Sequence, residues 1–128
     1  MAQPRILVAE DNLVMADVLR FNLVRSGFDV ALATDGSAAL ELLKNQKFDV
    51  ILLDNQMPGM TGEEICRHHV RHDRHPTTPI MMCSAKGLEM QATLIEELGL
   101  CSIVFKPFSP KALVSDCLLY TSPSPRDS

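Results

Sequence analysis

An aspartate stands at the end of a short apolar stretch in the middle of the chain. Asp54 directly follows Val50–Leu53 and precedes Met57-Pro58-Gly59, a stretch that cannot continue a strand. Four consecutive apolar residues bounded by a turn signal are typical of a strand that is buried on both faces, as in a parallel sheet covered by helices. Ligands of open α/β sheets bind beyond the carboxyl ends of the strands. Asp54 is therefore predicted to lie where such a protein does its chemistry.

Three other apolar runs of the sequence also end in polar residues. Glu10 and Asp11 follow the first run, Ser84 follows the fourth, and Lys106 follows the fifth. Three carboxylates brought close together repel one another unless a cation compensates, and oxygen ligands without Cys or His favour Mg²⁺ or Mn²⁺ over zinc. A lysine and a hydroxyl nearby suit a phosphoryl group in transfer, and an aspartate can accept one as an aspartyl phosphate. The pattern predicts a Mg²⁺-assisted phosphoryl-acceptor site centred on Asp54.

Strands and helices that could position these residues alternate along the chain. Strands are predicted over residues 5–9, 28–33, 50–53, 80–83 and 102–105. Helices are predicted to begin after Asn12, at Asp35-Gly36-Ser37, at Thr61, at Leu88 (ending before Gly99) and after Ser109. Five strands that alternate with five helices specify an α/β domain with a parallel sheet and right-handed crossovers.

The predicted helix starts carry recognisable capping residues. Asn12 is a plausible N-cap, Thr61 and Glu64 have the spacing of a capping box, and Ser109-Pro110 combines an N-cap with proline at the first helical position. Gly27 is placed to end the first helix. The four histidines (His68, His69, His72 and His75) lack the spacing of a metal site and are predicted to occupy a solvated helix end and loop.

The bulk composition is that of one ordinary globular domain. The chain has 128 residues, of which 22% are charged, and a net charge of −4. This mild acidity, without a basic block, argues against nucleic acid as a partner of the domain. The apolar stretches fall far short of the ~20 residues of a membrane helix, and no signal peptide is visible. The four cysteines form no C-x-x-C pair, so neither a disulfide framework nor a zinc site is predicted, and we expect a cytoplasmic protein.

The character of the sequence changes abruptly over residues 117–128, CLLYTSPSPRDS. The Ser-Pro repeats at its end would stop the last helix. The string resembles the translation of a sequencing adapter, and we expect it to be a non-native tail that truncates this helix. A natural disordered tail rich in Ser and Pro is the alternative. A non-native tail would take no part in the function of the protein.

The strand-end motifs together resemble a response-regulator receiver domain, the phosphoacceptor module of two-component signalling. They are Glu10-Asp11, Asp54 within LLDNQMPGMTG, Ser84-Ala85, and Lys106-Pro107-Phe108. They occur in the family's order, which makes the combination far more specific than any single motif. The resemblance implies one receiver domain over residues 1–116. It also implies a flavodoxin-like fold, a doubly wound sheet of five parallel strands in the order 2-1-3-4-5 with helices on both faces.

The resemblance also implies a role for each motif. Asp54 would take a phosphoryl group from a phosphohistidine on a histidine kinase or histidine phosphotransfer protein, with Mg²⁺ as cofactor. The implied ligands of Mg²⁺ are Glu10, Asp11, Asp54 and the backbone carbonyl of Gln56. Lys106 would pair with the phosphoryl oxygens, and Ser84 would donate a hydrogen bond to them. Such a domain is a signalling switch rather than an enzyme, and it would meet its target through the fourth helix, fifth strand and fifth helix.

One departure from the family keeps other interpretations open. Ile103 stands where the family usually has a Tyr or Phe that reports phosphorylation. The chain could therefore be a degenerate receiver that acts as a phosphorylation-independent adaptor. It could also be the N-terminal fragment of a longer regulator whose effector domain is missing. A hydrolase of the haloacid dehalogenase type would want a second aspartate two residues after Asp54, and that position is Gln56.

Overall fold

Five short parallel strands form one sheet in the computed structural model, which describes residues 3–72, 78–84, 102–105 and 109–121. The strands are β1 (Arg5–Ala9), β2 (Asp29–Ala33), β3 (Val50–Asp54), β4 (Ile80–Ser84) and β5 (Ser102–Phe105). Their order in the sheet is β2-β1-β3-β4-β5, and all four neighbouring pairs are parallel. The predicted doubly wound sheet in the order 2-1-3-4-5 is confirmed.

Helices connect the strands wherever the connection is described. They are α1 (Leu13–Arg25), α2 (Gly36–Asn45), α3 (Gly62–His72) and α4 (Pro110–Thr121), the last being the predicted fifth helix. The predicted fourth helix, over residues 88–98, lies outside the described residues. Helix α3 extends to His72, so the histidine-rich stretch begins as helix. No helix among the described residues is long and apolar enough to cross a membrane.

The sheet is buried on both faces because alternate residues of its central strands enter two different core clusters. On one face, Leu7, Ile51 and Leu53 pack with residues of α2 and α3. On the other face, Ile6 and Leu52 pack with residues of α1 and α4. Each such side chain, when fully buried, contributes roughly 1.5–3 kcal/mol of hydrophobic free energy. This two-sided burial explains why the strands are continuous apolar runs rather than alternating ones.

Side chains cap the starts of α1, α2 and α3, with Asn12 and Thr61 as predicted and Asp35 in addition. The Asn12 and Asp35 side chains accept hydrogen bonds from backbone N–H groups three residues later, at 3.1 and 2.8 Å. Thr61 and Glu64 form the reciprocal capping box, in which each side chain accepts from the other's backbone N–H at 3.1 Å. Gly27, two residues after α1 ends, has a φ of +99°, which glycine adopts without strain.

Candidate functional site

The register of the sheet brings the ends of the strands to one edge. Ala9, the last residue of β1, lies opposite Leu53, and Asp54 lies opposite Cys83. The backbone of Ser84 at the end of β4 lies opposite Phe105 at the end of β5. Parallel strands in register end at the same edge, so Glu10, Asp54 and Ser84 share it, as the strand-end pattern predicted. Lys106 follows Phe105 directly in the sequence and lies outside the described residues.

Three carboxylates meet at this edge. Glu10, Asp11 and Asp54 each offer an oxygen, and the three atoms lie within 4.8 Å of one another. Glu10 is 2% and Asp54 3% exposed, whereas Asp11 is exposed. Two unit negative charges at such a distance repel each other by about 3 kcal/mol at an effective dielectric constant of about 20. The cluster therefore has the composition and the concentrated negative charge of a site for a hard divalent cation.

Backbone N–H groups orient the two buried carboxylates. Glu10 Oε2 accepts a hydrogen bond from the Asn12 N–H at 3.1 Å, and the Glu10 N–H donates to the Ala33 carbonyl at 2.9 Å. Asp54 Oδ1 accepts from the Gln56 N–H at 3.1 Å. Each carboxylate is thus held by the chain two residues after it. The N–H of Gln56, the residue whose carbonyl is a predicted ligand, therefore lies beside Asp54.

The loop that follows Asp54 packs against the starts of α2 and α3. The Gly36 N–H donates to the Pro58 carbonyl at 3.1 Å, and a Cβ at Gly36 would overlap the backbone carbonyl of Met60. A Cβ at Gly62 would lie 2.9 Å from Asn55 Cα and 3.0 Å from the Asp54 carbonyl oxygen. Only glycine permits these approaches, so close backbone contact at Gly36 and Gly62 helps to fix the loop.

The sequence patterns missed Asn55, Gly36 and Gly62. Asn55 immediately follows Asp54 but carries no pattern that distinguishes it from an ordinary loop residue. The two glycines stand where helix starts were predicted, and only the spatial approach of the loop shows why a side chain is excluded. Ile103 is partly buried and packs against the α2–α3 side of the core.

Comparison with known proteins identifies the family and the fold of this chain. Residues 6–117 match the family model described as response regulator receiver domain. The chemotaxis response regulator CheY4 of Vibrio cholerae is 26% identical with a TM-score of 0.84, and the match covers 93% of this chain and 99% of that one. The receiver domain of the Francisella response regulator 1452 is 26% identical with a TM-score of 0.82, covering 91% and 95%. The non-phosphorylated HemR receiver domain of Leptospira biflexa, 24% identical, shares the fold with a TM-score of 0.83 over 95% and 97%.

Proposed function

The chain belongs to the response regulator receiver domain family, and on that premise we propose that Asp54 is its phosphoryl acceptor. Receiver domains are signalling switches rather than classical enzymes, and they interact with histidine kinases or phosphotransfer proteins. The observation that carries the proposal is the acidic cluster, in which Asp54 and Glu10 are buried at the carboxyl edge of the sheet with Asp11 beside them. Carboxylates buried this close together cost free energy of folding unless a partner such as a cation compensates their charge.

The donor atoms of the cluster fit Mg²⁺. They are all oxygens, they lie within 4.8 Å of one another, and they include neither sulfur nor imidazole. Glu10, Asp11, Asp54 and the Gln56 carbonyl would hold the ion, together with water. When bound, Mg²⁺ would neutralise the carboxylates and the charge on the transferring phosphoryl oxygens.

The proposed transfer needs only one bond to form and one to break. A carboxylate oxygen of Asp54 forms a bond to phosphorus while the N–P bond of the donor's phosphohistidine breaks, and its electron pair returns to the imidazole nitrogen. Lys106 is proposed to pair with the phosphoryl oxygens and Ser84 to donate a hydrogen bond to them. Attack by water on the acyl phosphate later returns the Asp54 carboxylate and inorganic phosphate.

A protein donor, rather than only a small metabolite, is supported by the surface beside the site. Helix α1 starts two residues after Asp11, and its outer face carries large apolar side chains that are exposed. They are Leu13, Val14, Val18, Phe21 and Val24. A donor that covers the carboxyl edge would bury part of this face, which offers the apolar contact typical of a protein interface.

Replacement of Asp54 tests the proposal directly. Asp54→Asn removes the nucleophilic oxygen with little change of shape, so labelling by acetyl phosphate in the presence of Mg²⁺ should vanish. Asp17→Asn, an exposed change on α1, is the matched control and should label as the parent does. Intact-mass measurement of the 80 Da adduct would report both variants. Persistent labelling of Asp54→Asn would reject Asp54 as the acceptor.

A second candidate function rests on Ile103. The aliphatic side chain packs against the core where the family's switch aromatic usually stands, which favours a phosphorylation-independent adaptor. Titration with Mg²⁺ separates the two functions, because an adaptor has no need of a millimolar-range metal site. The complete acidic set supports the switch.

We also propose the bounds of the domain, its cellular location and the surface that binds its target. We place the receiver at residues 1–116 in a cytoplasmic signalling protein, with residues 117–128 as an adapter-derived tail and the target bound through the fourth predicted helix, β5 and α4. Helix α4 runs through Cys117, which is buried, to Thr121. Sequencing of the intact gene would show whether the native chain continues differently after residue 116 and whether an effector domain follows.

A further inference from the structure

Asn55, the residue after Asp54, is bonded to two different elements. Its N–H donates to the Cys83 carbonyl in β4 at 2.8 Å, and its carbonyl accepts from the Gly62 N–H at 3.1 Å. Its side-chain Oδ1 accepts from the Glu63 N–H, also at 3.1 Å. From these contacts we propose that Asn55 is a positioning residue that holds the acceptor site against the start of α3. The proposal rests on the proposed function of Asp54.

The side chain of Asn55 is not needed to start α3. The first N–H groups of a helix have no partner inside the helix, and side chains commonly satisfy them. Thr61 already caps α3 locally through the capping box with Glu64. Asn55 adds a second cap from eight residues before Glu63. A cap that spans this separation ties the helix to the site, which the local cap does not do.

The same residue controls the peptide plane that faces Asp54. The plane between Asn55 and Gln56 contains the Asn55 carbonyl and the Gln56 N–H. Its carbonyl is held by Gly62, and its N–H donates to Asp54 Oδ1 at 3.1 Å. The start of α3 therefore sets the orientation of the Gln56 N–H, and this N–H in turn orients the Asp54 carboxylate. The absent Cβ at Gly62 permits this approach, because it would lie 2.9 Å from Asn55 Cα.

The amide of Asn55 keeps that arrangement rigid. With the Oδ1 bond in place, Gly62 and Glu63 both hold Asn55, so the 55–56 peptide cannot rotate freely. Without it, one bond to α3 remains and the Glu63 N–H loses its partner, which costs about as much as a typical buried hydrogen bond. The Gln56 N–H would then sample other orientations relative to Asp54.

Asn55→Ala is the decisive variant. We expect its Mg²⁺ dissociation constant, measured by calorimetry, to rise about fivefold, and labelling by acetyl phosphate to slow by a similar factor. In NMR spectra recorded without Mg²⁺, the amide resonance of Gln56 should shift relative to that of the parent protein. The Glu63 amide should also exchange faster with solvent than in the parent. These last two measurements report the position of the loop independently of phosphorylation.

Thr61→Ala is the matched control, because it weakens the start of α3 by removing the local cap. We expect a loss of thermal stability comparable with that of Asn55→Ala but no change in Mg²⁺ affinity or labelling rate. Asn55→Asp keeps an acceptor oxygen for the Glu63 N–H and should restore slow exchange of that amide. If Asn55→Ala does not fold, Asn55→Gln moves the amide by one methylene and carries the same expectations.

The outcomes separate this inference from the function on which it rests. Equal effects of Asn55→Ala and Thr61→Ala on Mg²⁺ binding, or no effect of either, would overturn the positioning role while the parent still binds Mg²⁺ and accepts phosphate. Failure of the parent itself to do either would overturn the proposed function, and the positioning role with it.

Discussion

Single residues at the carboxyl edge differ sharply in exposure although all three carry the same charge. Glu10 and Asp54 are buried, whereas Asp11 faces solvent. Water screens a charge at the surface far better than one in the interior, so the repulsion within the cluster falls mainly on the buried pair. The three residues could be predicted from sequence, because each follows an apolar run. Their unequal burial could not, because it depends on the loops that cover them.

Glu10→Gln tests whether the repulsion falls mainly on the buried carboxylates. The amide keeps an oxygen that can accept from the Asn12 N–H but removes one of the buried charges. We expect the metal-free protein to gain about 1 kcal/mol in the free energy of unfolding, since the repulsion is relieved. Mg²⁺ affinity should fall at least tenfold. Urea unfolding and Mg²⁺ titration measure the two effects.

Asp11→Asn provides the comparison for that prediction. Its carboxylate is exposed, so we expect a much smaller change in stability than for Glu10→Gln, while Mg²⁺ affinity still falls. A gain in stability equal to that of Glu10→Gln would contradict the assignment of the repulsion to the buried pair.

Elements of this fold are positioned by contacts that the sequence signals only in part. The capping residues Asn12, Asp35 and Thr61 predicted where α1, α2 and α3 begin, because capping depends on local hydrogen bonds. The docking of the loop after β3 against α2 was not predictable, because Gly36 and Pro58 are far apart in sequence. Helix α3 also continues to His72, since its buried residues Ile65 and Cys66 anchor it despite the polar residues that follow.

Gly36→Ala tests the contact between the loop and α2. The new Cβ would overlap the Met60 carbonyl, so the helix start or the loop must shift. We expect a loss of about 1–3 kcal/mol in the free energy of unfolding, although alanine is the better helix former. Chemical denaturation measures it. Ser37→Ala, at the exposed next position of the same helix, should change stability by less than about 0.5 kcal/mol.

At the scale of the whole molecule, the two edges of the sheet, at the carboxyl and the amino ends of its strands, have different roles. The carboxyl edge carries the acidic cluster, and the amino edge carries a structural network around Arg5. The Arg5 guanidinium donates to Asp29 Oδ2 at 3.2 Å and to Gln46 Oε1 at 2.5 Å, and it lies 4.9 Å from the centre of the Phe48 ring. The network joins the start of β1 to β2 and to the chain entering β3. The parallel sheet was predictable from the apolar runs, whereas this network was not.

Arg5→Ala should therefore weaken the fold without weakening the site. The side chain is partly exposed, so the ion pair alone is worth little, and we expect a total loss of about 1–2 kcal/mol. Mg²⁺ affinity should stay within a factor of two of the parent at a temperature where both are folded. Thermal unfolding and Mg²⁺ titration measure the two quantities.

Arg20→Ala is the control for that prediction, because its exposed pair with Asp17 on α1 should contribute less than about 0.5 kcal/mol. If Arg5→Ala weakened Mg²⁺ binding tenfold, the two edges would be energetically coupled rather than separate.

The buried thiols of this protein can report when each side of its core opens. Cys66 lies in the core on the α2–α3 side, and Cys83 and Cys117 lie on the α1–α4 side. Burial, reinforced by the nearby Glu63 carboxylate and opposed by Arg67, raises the pKa of Cys66 to about 12, so its reactive thiolate is scarce in the folded protein. With Cys101 replaced by serine, alkylation of each thiol would time the opening of its own side of the sheet. One alkylating reagent would then show whether the core clusters on the two faces of the sheet open together or one after the other.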